Sequence, residues 1–184
     1  MQVQEQQQTA FETLKDQFGY TNVMQCPRLD KVVLSTGVGR IRHDAHKMGV
    51  IEDRMARIAG QKIAPSPARK SIAQFKIREG DTAGFKVTLS GQRARDMLDK
   101  LIHIALPRTK DFRGIARTSV DEMGNLTIGI KEHTIFPETG DEDIRDVFSM
   151  AVTIVTTAPS REEAIAYFEH LGIPFKKELE DTNA

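Results

Sequence analysis

The chain has 184 residues, 39% of them hydrophobic, enough to bury a core in a single domain over residues 1–184 and too apolar for a disordered segment. Its one cysteine, Cys26, excludes an internal disulfide framework or a cysteine zinc cluster, and no run reaches the ~20 apolar residues that span a bilayer. The formal net charge is zero, which argues against a uniformly basic nucleic-acid binder, yet Lys+Arg outnumber Asp+Glu 13 to 5 over residues 60–117 and are outnumbered 5 to 14 over 118–184.

The polar opening MQVQEQQQTA lacks the charged and apolar parts of a signal peptide, so a soluble intracellular protein with no membrane partner is expected. Residues 1–19 form an N-terminal unit: Gln4 to Phe18 reads as a helix with Phe11, Leu14 and Phe18 at helical spacing, stopped by Gly19. Residues 20–176 then read as the α+β core. Asp30 to Thr36 is a β-branched strand with Val32 and Leu34 on one face and Lys31 and Ser35 on the other. Gly37-Val38-Gly39 comes next. Arg42 stands where a dinucleotide fingerprint needs a third glycine, so the glycines read better as a tight turn than as a phosphate loop.

Asp44 to Ala59 is an amphipathic helix through Ala45, Met48, Ile51, Met55 and Ile58, ended by Gly60. His43 and His46 at its start have no third ligand at metal-site spacing, and no metal or cofactor is expected. Gln61 to Pro67 carries two prolines that force an extended approach to the next segment.

Ala68 to Ser90 reads as a long, mobile β-hairpin. Ala73, Phe75 and Ile77 make the core face of its first arm, and Phe85, Val87 and Leu89 that of the second. Gln74, Lys76 and Arg78, then Lys86, Thr88 and Ser90, make a basic, hydrogen-bonding face. The tip, Glu79-Gly80-Asp81-Thr82-Ala83-Gly84, has no branched apolar residue, so it is expected to be solvated.

Arg93 to Ala105 is a second core helix that Pro107 is expected to close. In Leu106 to Arg117 the cations Arg108, Lys110, Arg113 and Arg117 surround Phe112; spacing leaves open a solvated loop or contact with phosphates. Asn125 to Lys131 and Met150 to Thr157 are further strands. Between them Glu138, Asp141, Glu142, Asp143 and Asp146 form an acidic run without a nearby histidine or nucleophile, better suited to a basic partner than to catalysis. Ser160-Arg161-Glu162-Glu163 is a capping box opening a last helix, and residues 177–184 are a polar tail.

Together these elements give an α+β fold with an antiparallel-rich sheet, helices packed on one face and the other face open. Lys31, Ser35, Gln74, Lys76, Arg78, Lys86 and Thr88 would lie on that open face. Short polar groups among cations suit the shallow minor groove of A-form RNA, while the lack of Trp disfavours a base-stacking platform. The other function classes are a small nucleotide-handling enzyme built on Gly37 to Gly39, and a module that binds a basic protein through its acidic run.

Several motifs in order, Val23-Met24-Gln25-Cys26-Pro27-Arg28, Gly60-Gln61-Lys62, Ala68-Arg69-Lys70-Ser71-Ile72-Ala73-Gln74-Phe75-Lys76-Ile77-Arg78, Leu106-Pro107-Arg108, Asp111-Phe112-Arg113-Gly114 and Ile135-Phe136-Pro137-Glu138, resemble the bacterial form of large-subunit ribosomal protein number five from about Tyr20 to Lys176. The resemblance implies a non-enzymatic protein that binds 5S ribosomal RNA in the central protuberance, among large-subunit rRNA and other protuberance proteins. It implies a polar trio for 5S RNA at Ser35, Gln61 and Thr88; the open face and the basic block add Lys31, Arg69, Lys70, Gln74, Lys76 and Lys86 as further expected rRNA contacts. Ser35 stands where the family usually has asparagine. The hairpin tip, Arg78, Glu79, Gly80, Asp81, Thr82, Ala83 and Gly84, would reach P-site tRNA. Glu138 and the carboxylates from Asp141 to Asp146 would face small-subunit protein thirteen in an inter-subunit bridge.

Overall fold

A computed structural model describes residues 2–39, 41, 44–139 and 147–176. Among these, β1 (Leu29–Gly37), β2 (Ala64–Pro67), β3 (Thr82–Ser90), β4 (Leu126–Ile130) and β5 (Met150–Thr156) form one antiparallel sheet in the order β2-β3-β1-β5-β4. Alternation sets its two faces. Val32, Leu34 and Thr36 of β1, Phe85, Val87 and Leu89 of β3, and Val152 and Ile154 of β5 are buried, while their neighbours in sequence point the other way.

The buried face is covered by helices α1 (Gln2–Phe18), α2 (Ala45–Ala59), α3 (Gln92–Lys100) and α4 (Arg161–His170). Leu98 and Leu101, Met55 and Ile58, and Tyr167 and Phe168 meet the sheet in one apolar cluster, where each such side chain contributes about 1.5–3 kcal/mol. In α1 the buried residues are Val3, Ala10 and Leu14, with Phe11 and Phe18 half-covered beside them. Gly19, at φ 68, ends α1 by turning its N–H back to the Lys15 carbonyl at 2.8 Å. Tyr20 then donates its phenolic O–H to the Glu163 carboxylate, which also accepts the Ser160 hydroxyl at 3.2 Å, so the cap of α4 is tied to the end of α1.

Two expectations change here. Pro107 does not close α3: after Lys100 the helix widens into a π turn over Leu101–Ala105 and resumes over Leu106–Arg108. The wider turn accommodates a residue with no N–H to give, and Thr109 ends the helix by donating its N–H to Leu106 O and its hydroxyl to Ala105 O. The first arm of the hairpin is the second change. The strand paired with β3 is Ala64–Pro67, expected only as an extended approach, and residues 68–81 leave the sheet. Pro65 and Pro67 are tolerated because β2 is an edge strand.

Candidate nucleic-acid interface

The uncovered face of the sheet is set by the register. Ser90, Lys31 and Val155 make one row across β3, β1 and β5; Thr88, Val33, Thr153 and Thr127 make the next, reaching β4. The third runs Ala64, Lys86, Ser35, Ala151 and Gly129 across all five strands. These side chains are short, apart from two lysines that rise from the surface. The result is a floor of hydroxyls and methyls on which a broad, flat polyanion can rest, with Lys31 and Lys86 placed for phosphates.

A hollow of about 490 Å³ opens beside Ser35, bounded by Gly37, Gly129, Lys131, Ser149 and Ala151, where the sheet carries small residues on adjacent strands. At the same end β1 and β3 run close together. A Cβ on Gly84 would stand 2.5 Å from the Thr36 carbonyl oxygen, so position 84 accepts only glycine without a shift of one strand.

The predicted trio converges. Ser35 and Thr88 lie on the uncovered face of adjacent strands, and Gln61, just before β2, donates its side-chain amide to Thr88 O at 3.4 Å. Its Oε1 accepts from Arg93 at 3.0 Å, which fixes the amide and brings a third cation to the trio's margin. Lys31 also contacts Asp30 at 3.3 Å, an exposed pair that phosphate can compete away.

The remaining predicted rRNA residues stand elsewhere. Gln74, Lys76 and Arg78 are not on the sheet: with Arg69 and Lys70 they belong to an excursion over residues 68–81 that projects from the β2–β3 edge. Its base is closed by Ala68 N–H to Asp81 O at 2.8 Å and Gly80 N–H to Ala68 O at 3.0 Å, and its far end by the reciprocal Ile72–Ile77 pair. Between them Ala73–Phe75 is a single 3₁₀ turn, with Lys76 at φ 52 reversing the chain. Arg78, Glu79, Gly80 and Asp81 therefore sit at the base, and Thr82, Ala83 and Gly84 begin β3. The Asp81 carboxylate accepts the Arg78 N–H at 2.9 Å, and Ser71 Oγ accepts the Glu79 N–H at 2.9 Å.

Phe75, expected in the core, is 62% exposed, and Ile72 is 45% exposed. Apolar side chains are thus carried out to the end of a basic projection. The period-2 pattern at Ala73, Phe75 and Ile77 imitates a strand, while the prolines at 65 and 67 disguise the true one, which pairs only because it lies at the sheet edge.

The other predicted residues separate from this surface. Arg108, Lys110 and Arg113 are exposed beyond the end of α3, Lys110 and Arg113 beside β4; Arg117 instead pairs with Glu169 at 2.7 Å. Glu138 forms an ion pair with Lys100, which also donates to Ile58 O at 3.1 Å. Asp141, Glu142, Asp143 and Asp146 lie outside the described residues, as does His43.

Sequence reading also misses a buried polar pair. Arg54 of α2 meets His133 at 3.4 Å, and His133 stacks on Phe148 with ring centroids 4.2 Å apart. Nothing local marks it, since the partners are 79 positions apart.

Comparison with known proteins bears on the same residues. A family model described as ribosomal protein L5 matches residues 22–78, and one described as the C-terminus of the same ribosomal family matches 82–175. The curated large ribosomal subunit protein uL5 of Ligilactobacillus salivarius is 44% identical over 165 residues, covering 90% of this chain and 92% of its own length. The uL5 proteins of Mesoplasma florum and Flavobacterium johnsoniae are each 45% identical, over 93% and 89% of this chain and 94% and 90% of theirs.

Proposed function

The chain belongs to the ribosomal protein L5 family and is a structural constituent of the large ribosomal subunit, not an enzyme; on that premise we propose that its uncovered sheet face binds 5S ribosomal RNA in the central protuberance. The observation that carries this reading is the convergence of Ser35, Thr88 and Gln61 beside Lys86 on a face that no described helix covers. In A-form RNA the minor groove presents 2′-hydroxyls and base edges at the depth that short side chains reach, while Lys31, Lys86 and the excursion cations Arg69, Lys70 and Lys76 neutralise phosphate on either side.

The excursion, with Phe75 and Ile72 exposed among cations, supports contact with P-site tRNA: an apolar ring can lie against an unstacked base or ribose while lysine and arginine hold the backbone. In this reading the far end, Ile72 to Ile77, leads the contact, and the segment from Arg78 to Gly84 anchors it. The acidic run from Glu138 to Asp146 suits a basic partner such as small-subunit protein thirteen in an inter-subunit bridge. Arg108 is a further candidate for large-subunit rRNA.

The deciding experiment titrates the protein against 5S RNA and an unrelated structured RNA of equal length across salt concentrations. A preference for 5S RNA of ~10³ that persists as salt rises is the expected result; equal binding that vanishes at moderate salt for both would leave only a non-specific electrostatic patch.

A further inference from the structure

The two edges of the sheet are protected differently. β2 carries Pro65 and Pro67, which remove ladder donors and block pairing with another strand. β4 reads Leu-Thr-Ile-Gly-Ile, with no proline and no charge. Val120 pairs with Leu126 at its start, but among the described residues no backbone group of the chain bonds to the outer edge of Thr127 to Ile130. An open, uncharged, β-branched edge is a template for an added strand.

A groove of about 640 Å³ runs along this edge, between β4 and the loop from Thr109 to Ala116. Its lining takes residues from both faces of β4, Thr127 and Gly129 with Ile128 and Ile130, which places it on the edge itself. Ile115 and Ile135 add to an apolar floor. The loop wall is held by backbone bonds to the segment after α4: Ile115 N–H to Pro174 O at 2.8 Å, and Lys176 N–H to Ile115 O at 2.9 Å. Gly114, at φ 93, permits this, because a Cβ there would stand 2.8 Å from Lys176 N. The wall is therefore built, not a loose flap.

The rim is cationic. Lys110, Arg113, Lys131 and Lys176 line it against Asp111 and Glu132, and among the described residues none of the four cations is held in an ion pair. We propose that this groove binds an extended acidic peptide segment of a partner protein, which adds a strand to β4 with apolar side chains on the floor and carboxylates on the rim. Four residues of edge span ~13 Å, enough for a short ladder. A nucleic acid strand would satisfy the rim but leave the apolar floor and the line of backbone donors and acceptors unused, so the peptide fits better. Lys110 and Arg113 then serve this groove and not the RNA face.

The test uses the full chain and a capped octapeptide of alternating valine and glutamate, followed by fluorescence anisotropy and by amide NMR shifts. Expected are binding with shifts centred on Thr127 to Ile130, and a tenfold or greater weakening when alternate peptide nitrogens are methylated or the glutamates become lysines. The double variant Lys110→Glu/Arg113→Glu should weaken the peptide equally and leave 5S RNA binding unchanged. The proposal is overturned by any of three results: no binding at millimolar peptide, equal binding of the N-methylated peptide, or a uridine octamer that takes the groove while the peptide does not.

Discussion

Ser35 on β1 and Lys86 on β3 stand directly opposite each other on the uncovered face, a hydroxyl and an ammonium sharing one cross-strand position. The pair joins a group that can read a ribose or base edge to one that can hold the phosphate beside it. Lys86→Glu should weaken 5S RNA and unrelated RNA alike and lower the slope of log affinity against log salt by at least about one. Ser35→Asn, with the adjacent hollow to receive a longer side chain, should tighten 5S RNA selectively. Salt titrations of both variants check this; a Lys86→Glu protein with an unchanged salt slope would remove Lys86 from the interface.

Gly84→Ala tests the close approach of β1 and β3. The added methyl meets the Thr36 carbonyl oxygen at 2.5 Å, where backbone cannot yield as a side-chain end can. A loss of about 1–3 kcal/mol is expected in urea unfolding, with RNA affinity falling further because the strands that carry Ser35 and Lys86 must move. Gly129→Ala is the control: nothing lies within 4 Å of its added carbon, so its effect on stability should be much smaller.

High pH should unfold the protein earlier than its composition suggests. Burial pushes the Tyr20 phenol well above its ordinary range, with the Glu163 carboxylate adding to the effect, and burial likewise raises the Cys26 thiol and the Tyr167 phenol. All three groups hold their protons more tightly folded than unfolded. Stability is therefore full below the unfolded values, about 8.5 for a thiol and 10 for a phenol, and declines as pH rises past them. Tyr20→Phe should cost about 1 kcal/mol near neutrality, where the bond to Glu163 is lost, and progressively less by pH 11. Thermal melts of both proteins from pH 7 to 11 measure the gap; a constant gap would refute the linkage.

Lys100 and Glu138 join α3 to the segment that leads into the acidic run. Their side chains are 24% and 30% exposed, and the lysine is also bonded to Ile58 O, which limits what solvent can replace. A double-mutant cycle of Lys100→Met and Glu138→Gln should give a coupling of about 1 kcal/mol in urea unfolding. A coupling near zero would mean that Glu138 is available to an outside partner.

Where one face of an element is buried along its whole length, the sequence is readable. Alternation in β1, β3 and β4, β-branched composition in β5, helical spacing in α2 and α3, and the Ser160 cap of α4 each appear where sequence pattern and end chemistry put them. The excursion misleads because Ala73, Phe75 and Ile77 alternate without a sheet to pair with, so the same pattern carries side chains into solvent. Pro107 misleads because a π turn is set by packing of the helix as a whole and leaves no local signature. The groove at β4 depends on which strand ends at the sheet edge, a property of topology that no single segment contains.

The strand order has a further consequence for synthesis. β1 comes from the segment matching the first family model, yet it lies between β3 and β5, both from the second. Its partner β5 comes about 120 residues later, as in the pairing of Val32 with Ile154. At roughly 5–20 residues per second, a nascent chain would expose the apolar edge of β1 for seconds before β5 leaves the exit tunnel. The two halves cannot mature in turn, because the sheet is complete only once β5 has been made and docked on β1.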